Sequence, residues 1–269
     1  MIKSIDGVLT SSVDYGEHDK LITILTAEEG KIQAIAKGAR SMRSQYLNAT
    51  QPFVYGNFEL YKKGDLYWLR AGSPKNSFYG LSGDLECLAL ANYVCDVAND
   101  ISGEGVEADS LLRLVLNCLY VLSERKKAPK LVKAVFELRA AAMSGYYPLS
   151  LDLCDKCSKK LSYGKDSVCA YFEVEDGRLV CPECFERSSR GFFVPSGDEA
   201  RSASELIPLG DSALAAFVYT LSAPMERMFA FEVSDKDEMR AFSHLSEAYL
   251  LAHLERSFDT LDFYKTVCD

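Results

Sequence analysis

The chain has 269 residues, enough for two or three domains with separate cores, and its 48% hydrophobic content is that of a globular protein. No run of about 18 apolar residues occurs, which argues against a transmembrane helix. The formal net charge of −9 excludes a uniformly basic nucleic-acid coat, so any phosphate-binding surface has to be local.

The N-terminus, Met1-Ile-Lys-Ser-Ile-Asp-Gly7, has no apolar h-region, so no secretory signal is expected and a cytoplasmic location follows. The first 75 or so residues read as all-β. Strands are expected at Ile5–Ser11, Leu21–Thr26, Lys31–Lys37, Phe53–Lys62 and Leu66–Ala71. Lys63-Gly64-Asp65 is the expected hairpin turn between the last two. In the third strand Ile32, Ala34 and Ala36 alternate, although Ile35 blurs the pattern. Five short strands suit a small closed barrel, which removes sheet edges; an OB-type barrel is one solution and an SH3-like barrel another.

Near Gly80 the period changes from two to helical. Helices are expected from Ser82 as N-cap to about Asn99, from Ser110 to Glu124, and from Pro129 to Gly145. Two more follow the cysteine segment: Asp211–Leu221, stopped by Pro224, and Ser234 to about Phe258, opened by a capping box.

Of nine cysteines, Cys87, Cys95 and Cys118 lie in apolar helical stretches and read as small buried hydrophobes. The odd count and a reducing compartment argue against a disulfide framework. Cys154-Asp-Lys-Cys157 and Cys181-Pro-Glu-Cys184 are two C-x2-C knuckles separated by 23 residues. Four thiolates satisfy a tetrahedral structural Zn²⁺ with no open position, although iron can occupy the same sulfurs. Tyr171 to Val180 reads as a hairpin between the knuckles, turning at Asp176-Gly177, and Cys169 is the spare thiol. A redox dithiol lacks its βαβ context.

Between Lys31 and Phe58 there is no Asp or Glu, while Lys31, Lys37, Arg40 and Arg43 are present. Such a stretch can neutralise phosphates without reading sequence, with Tyr46, Phe53, Tyr55 and Trp68 as stacking candidates. The plainer alternative is a solvated loop beside a barrel core that contains those aromatics. No catalytic motif is present, and there are three histidines. Asp14, Glu17, His18 and Asp19 form a polar turn; an ion-dependent nuclease built on them is the enzyme alternative, and no enzyme is expected.

These stretches resemble the bacterial RecO family of recombination mediators and DNA-repair proteins. The similarity lies in Gly7-Val-Leu…Tyr15-Gly-Glu-His-Asp-Lys20, Glu29-Gly-Lys31…Ala36-Lys-Gly-Ala-Arg40…Ser44 and Gln51-Pro-Phe53. It continues in Phe136-Glu-Leu-Arg139…Gly145-Tyr-Tyr-Pro148, Asp176-Gly177…Val180-Cys-Pro-Glu-Cys184 and Tyr249-Leu-Leu-Ala-His-Leu254. The resemblance implies an α+β chain: an OB fold over 1–79, a helical domain in two parts over 80–150 and 196–269, and an inserted zinc module over 151–195. It implies binding of single- and double-stranded DNA, strand annealing, and cooperation with RecR in loading RecA onto DNA coated by single-strand-binding protein, in the cytoplasm at the nucleoid. Carried over by residue, the family's basic surface falls on Lys31, Lys37, Arg40 and Arg43, with Lys37 and Arg40 in the matched run. Relatives often have two basic residues after Gly-Ala, whereas here Arg40 is followed by Ser41-Met42. That departure and the net charge leave a second expectation open, an interaction adaptor with little DNA affinity of its own.

Overall fold

The computed structural model describes residues 2–64, 66–164, 167–190 and 205–268. Asp65 of the expected hairpin turn and the expected boundary at 195/196 lie outside the described residues. The chain forms two compact units, Met1–Pro129 with Phe258–Asp269, and Lys130–Ser257.

In the first unit, β1 (Ile2–Tyr15), β2 (Asp19–Thr26), β3 (Gly30–Ala36), β4 (Tyr55–Lys63) and β5 (Leu66–Asn76) close a barrel in the order β1-β2-β3-β5-β4. β1 is longer than its alternating segment because it serves two neighbours, β4 through Ile2–Val8 and β2 through Gly7–Tyr15. A register shift between Leu9 and Ser11 bends it from one to the other. A parallel pairing of β3 with β5 closes the ring, which gives the OB arrangement. Ile5, Leu9, Ile22, Ile24, Ile32, Ala34, Ala36, Phe58, Leu60 and Leu69 fill the interior. Ile35 is also buried but falls outside that cluster, on the opposite face of the strand.

Two helices follow, α1 (Leu85–Ile101) and α2 (Asp109–Ser123). The cap of α1 is Asp84, whose side chain accepts from Cys87 N–H at 3.1 Å. Ser82, the expected cap, instead donates to the Tyr79 carbonyl inside a 3-10 turn over Tyr79–Gly83. The α1–α2 linker pairs with the β2–β3 turn: Gly105 N–H donates to Glu29 and Ala108 N–H to Ala27. Only glycine fits at Gly30, because φ is +61° and a Cβ would stand 2.1 Å from the Gly103 carbonyl oxygen.

The second unit contains α3 (Pro129–Met143), β6 (Ala170–Glu173), β7 (Arg178–Val180), α4 (Pro182–Arg190), β8 (Leu206–Leu209), α5 (Asp211–Ser222) and α6 (Lys236–Leu254). The expected hairpin is β6–β7, and Gly177 at φ +62° makes its turn. β8, which no periodicity announces, adds a third strand on the other side of β6; Pro208 is tolerated because this strand is an edge. Phe172 on β6 packs against Phe217 of α5 and Tyr249 of α6, so the small sheet shares the helical core. α6 is capped by Asp235, which accepts from Asp237 and Glu238 N–H groups, rather than by Ser234.

The last expected helix ends about one turn early, and a helix beyond its expected end follows. α6 stops at Glu255, which is left-handed at φ 50°, and α7 (Asp259–Cys268) returns to the first unit. There Thr260 Oγ1 donates to Asp96 and Phe258 meets the edge of Tyr93.

Candidate metal centre and nucleic-acid interface

The two knuckles converge. Sγ atoms of Cys154, Cys157, Cys181 and Cys184 all lie within 4.8 Å of one another, and those of Cys157 and Cys181 are 3.9 Å apart. Zn–S bonds of about 2.3 Å in a tetrahedron put sulfurs about 3.8 Å apart, so the donor set fits this ion. A disulfide, at about 2.05 Å, does not fit.

The local chain explains the convergence. Cys154 N–H donates to Lys159 O and Ser158 N–H to Cys154 O, curling the first knuckle with Ser158 at φ 57°. Asp155 ties this knuckle to β7: its N–H donates to Leu179 O, and its carboxylate accepts from Leu179 N–H at 2.7 Å. The second knuckle opens α4, with Pro182 in the first helical turn and Phe185 N–H donating to Cys181 O.

Burial alone would raise the Cys154 thiol, but backbone N–H groups of Cys181, Cys157 and Lys156 outweigh it and lower it to about 6. Cys184 is pushed up to about 12 by its neighbours Cys157 and Cys181, and burial raises Cys181. Four sulfurs this close resist ionising together unless a cation is present, and N–H donors such as Cys181 N–H on Cys154 Sγ are typical of metal thiolates. Cys169, the spare thiol, is buried away from the cluster and directed at the Gly164 and Ser167 carbonyls. Among the described residues the four cysteines are the one His/Cys/Asp/Glu group able to hold an ion.

The basic residues divide into two sets. Lys37 and Arg40 lie with Gly38 and Ser41 around an open cleft whose other wall is Tyr15–Asp19, the β1–β2 turn. Asp19 accepts from Gly38 N–H at 2.7 Å, and Arg40 reaches Asp14 at 3.1 Å and the Gly16 carbonyl at 2.9 Å. Lys37 and Arg43 are exposed, and neither has an ion pair or side-chain hydrogen bond among the described residues. Lys31 sits at the other end of β3, about 20 Å away by strand rise, with Nζ donating to Asn99 O at 2.8 Å. The cleft's Glu17 and His18 are exposed and 3.9 Å apart.

The aromatics stand mostly with the barrel. Phe53 is buried, Tyr46 packs on the core, and Tyr55 and Trp68 are half-buried. Three cations outside the sequence-derived basic set also stand over barrel aromatics, Lys62 over Tyr67 at 5.8 Å, Lys63 over Trp68 at 5.6 Å and Lys75 over Tyr55 at 5.7 Å. The signal for them was the β4–β5 register, which sets Lys62 opposite Tyr67.

The family model for "Recombination protein O N terminal" matches residues 1–78, and that for "Recombination protein O C terminal" matches 82–262. A DNA repair protein RecO of Acetivibrio thermocellus is 33% identical over 263 residues, covering 97% of this chain and 95% of the relative. One from Clostridium perfringens is 36% identical over 179 residues, 66% of this chain and 70% of the relative. One from Alkaliphilus metalliredigens is 27% identical over 268 residues, 99% of this chain and 100% of the relative. With a closed OB barrel under the first model, the four-cysteine centre within the second, and matches running nearly end to end, the chain belongs to the recombination protein O (RecO) family.

Proposed function

We propose that this RecO family member is a non-catalytic mediator of recombinational DNA repair. It binds single- and double-stranded DNA, anneals complementary strands and, with RecR, helps load RecA onto DNA coated by single-strand-binding protein. The observation that carries the DNA part is the acid-free loop leaving β3, which presents Lys37 and Arg43 as exposed cations without side-chain partners among the described residues. Arg40 is held against Asp14 and Lys31 is bonded to Asn99, so they add less. Segment 1–79 is the DNA-binding part, 80–150 and 196–269 the helical scaffold, and 151–195 a module closed by one structural Zn²⁺ on Cys154, Cys157, Cys181 and Cys184. The ion supplies folding energy and no chemical step. Annealing follows from charge: strands held on cations repel each other less and meet at high local concentration. Among the described residues no helix is long and apolar enough to cross a membrane.

A second reading, an adaptor with little DNA affinity of its own, is favoured by the net charge of −9 and the engagement of Lys31 and Arg40. The annealing rate of two complementary oligonucleotides separates the two readings. We expect the isolated chain to accelerate annealing, and Lys37→Ala/Arg43→Ala to lower DNA affinity by roughly tenfold with the fold intact. Annealing that stays at the protein-free rate until RecR is added favours the adaptor.

A further inference from the structure

A groove of about 430 Å³ opens between the loop after β3 and the 3-10 turn before α1, within the range of small-ligand pockets, about 300–1,000 Å³. Its floor is apolar and buried: Phe53, Val54, Phe78 and Leu81. Two large side chains that border it project into solvent, Met42 at 85% exposure and Tyr79 at 82%. Asn48 and Gln51 add exposed amides that can hydrogen-bond a polar edge.

Three features mark this groove as built rather than left over. Phe53 and Phe78 are both left-handed, with φ of 65° and 45°, a conformation that costs a non-glycine residue about 1–2 kcal/mol. The fold enforces both: Phe53 N–H donates to Leu9 O at 2.8 Å, and Phe78 N–H to the Asn76 side chain at 3.0 Å. Strain of this kind, held on two aromatic residues of one pocket, is characteristic of ligand sites. The turn carrying Tyr79 is clamped as well. Gly80 lies so close to α2 that a Cβ would stand 2.0 Å from the Ser123 carbonyl oxygen, and Arg125 donates to Gly83 O. The tyrosine is thus an exposed ring on a rigid support, which can stack at low entropic cost.

The surrounding charge selects an anionic ligand. The protein has 39 acidic residues in 269, yet stretches 31–58 and 66–83, which supply all but one of the lining residues, contain none. They contain six basic residues: Lys31, Lys37, Arg40, Arg43, Arg70 and Lys75. A flat, apolar, hydrogen-bonding group attached to a polyanion matches this combination better than an anion alone.

We infer that the groove receives an unstacked base of single-stranded DNA, stacked on Tyr79 over the Phe53–Phe78 floor, while the strand's phosphates follow the Lys37–Arg43 loop. This rests on the DNA-binding function proposed above and adds a base-contacting subsite to its backbone contacts. Base stacking of this type tolerates any sequence, because every base has a π-face. It also favours single strands, whose bases are free to leave the stack.

The full-length protein is titrated onto a thymidine oligomer and onto an equal-length oligomer of abasic sites. Wild type is expected to prefer the thymidine strand. Tyr79→Ala, an exposed position, should weaken the thymidine strand by about tenfold and leave the abasic strand and the salt slope unchanged. Tyr79→Phe, which keeps the ring, should bind as wild type does. Photocrosslinking of 5-iododeoxyuridine should map to the Tyr79 turn. Equal affinity of Tyr79→Ala and wild type for the thymidine strand overturns the pocket, as expected if the groove holds an acidic peptide instead. Retained binding of the abasic strand then shows that backbone binding survives. No binding of either oligomer by wild type overturns both.

Discussion

Cys154→Ser or Cys181→Ser is expected to abolish metal binding by the four-cysteine cluster and unfold the small sheet. Structural zinc contributes about 10–16 kcal/mol of apparent binding energy in finger peptides, comparable to the roughly 5–15 kcal/mol that holds an average domain together. Here the loss should spread beyond the knuckles, because Phe172 on β6 packs into the helical core against Phe217 and Tyr249. Metal analysis should give one zinc per wild-type chain and close to none in either variant. Limited proteolysis should then cut rapidly within residues 150–190. Cys169→Ser is the control: this thiol is buried and bonded to carbonyls outside the cluster, so its zinc content should equal that of wild type. A visible absorption band would indicate iron in the same four sulfurs. Zinc content unchanged in Cys154→Ser would disprove the ligand set.

The second large effect lies in a buried ion cluster. Lys133 Nζ is 2.8 Å from Glu137 and 2.7 Å from Glu247, and Glu137 is 0% exposed. Burial alone would lower the Lys133 ammonium, but the facing carboxylates of Glu137 and Glu247 outweigh it and hold it above the usual lysine range. Lys133→Ala takes the ammonium away from two carboxylates, one of them fully buried, so it should cost about 3–5 kcal/mol. The exposed pair Arg240–Asp237 provides the contrast, since Arg240→Ala should cost no more than about 1 kcal/mol. Both are read from denaturant unfolding of the Lys130–Ser257 unit. The pH sign follows from the raised value: the contribution is complete below the unfolded lysine pKa, about 10.4, and is lost as pH rises through the higher folded one. Equal costs for the two alanine variants would contradict the assignment.

What was legible in the chain depended on how local its cause was. The four-cysteine cluster was readable because each knuckle is a four-residue spacing and the hairpin between them carries its own turn at Asp176-Gly177. The barrel strands were readable from alternation, but not their lengths, because β1 continues wherever β2 and β4 offer partners. The break at Glu255 was hidden because the chain turns left-handed there without a glycine or proline. β8 was hidden because four residues with a proline form a strand only when β6 supplies the ladder. For the basic residues, type and spacing are local and readable in the chain. Their availability depends on distant partners, Asn99 for Lys31 and Asp14 for Arg40, which only the fold reveals.

The most direct test of a DNA site on this loop is the salt dependence of single-stranded DNA affinity for the isolated chain, compared with Lys37→Ala/Arg43→Ala. Each phosphate neutralised on a single strand contributes about 0.7 to the slope of log affinity against log salt. Wild type should therefore show linear, salt-weakened binding, and loss of two contacts should make the slope shallower by about 1.4. Identical slopes for the two proteins, or no binding by wild type without RecR, would contradict a primary DNA site on the loop that leaves β3.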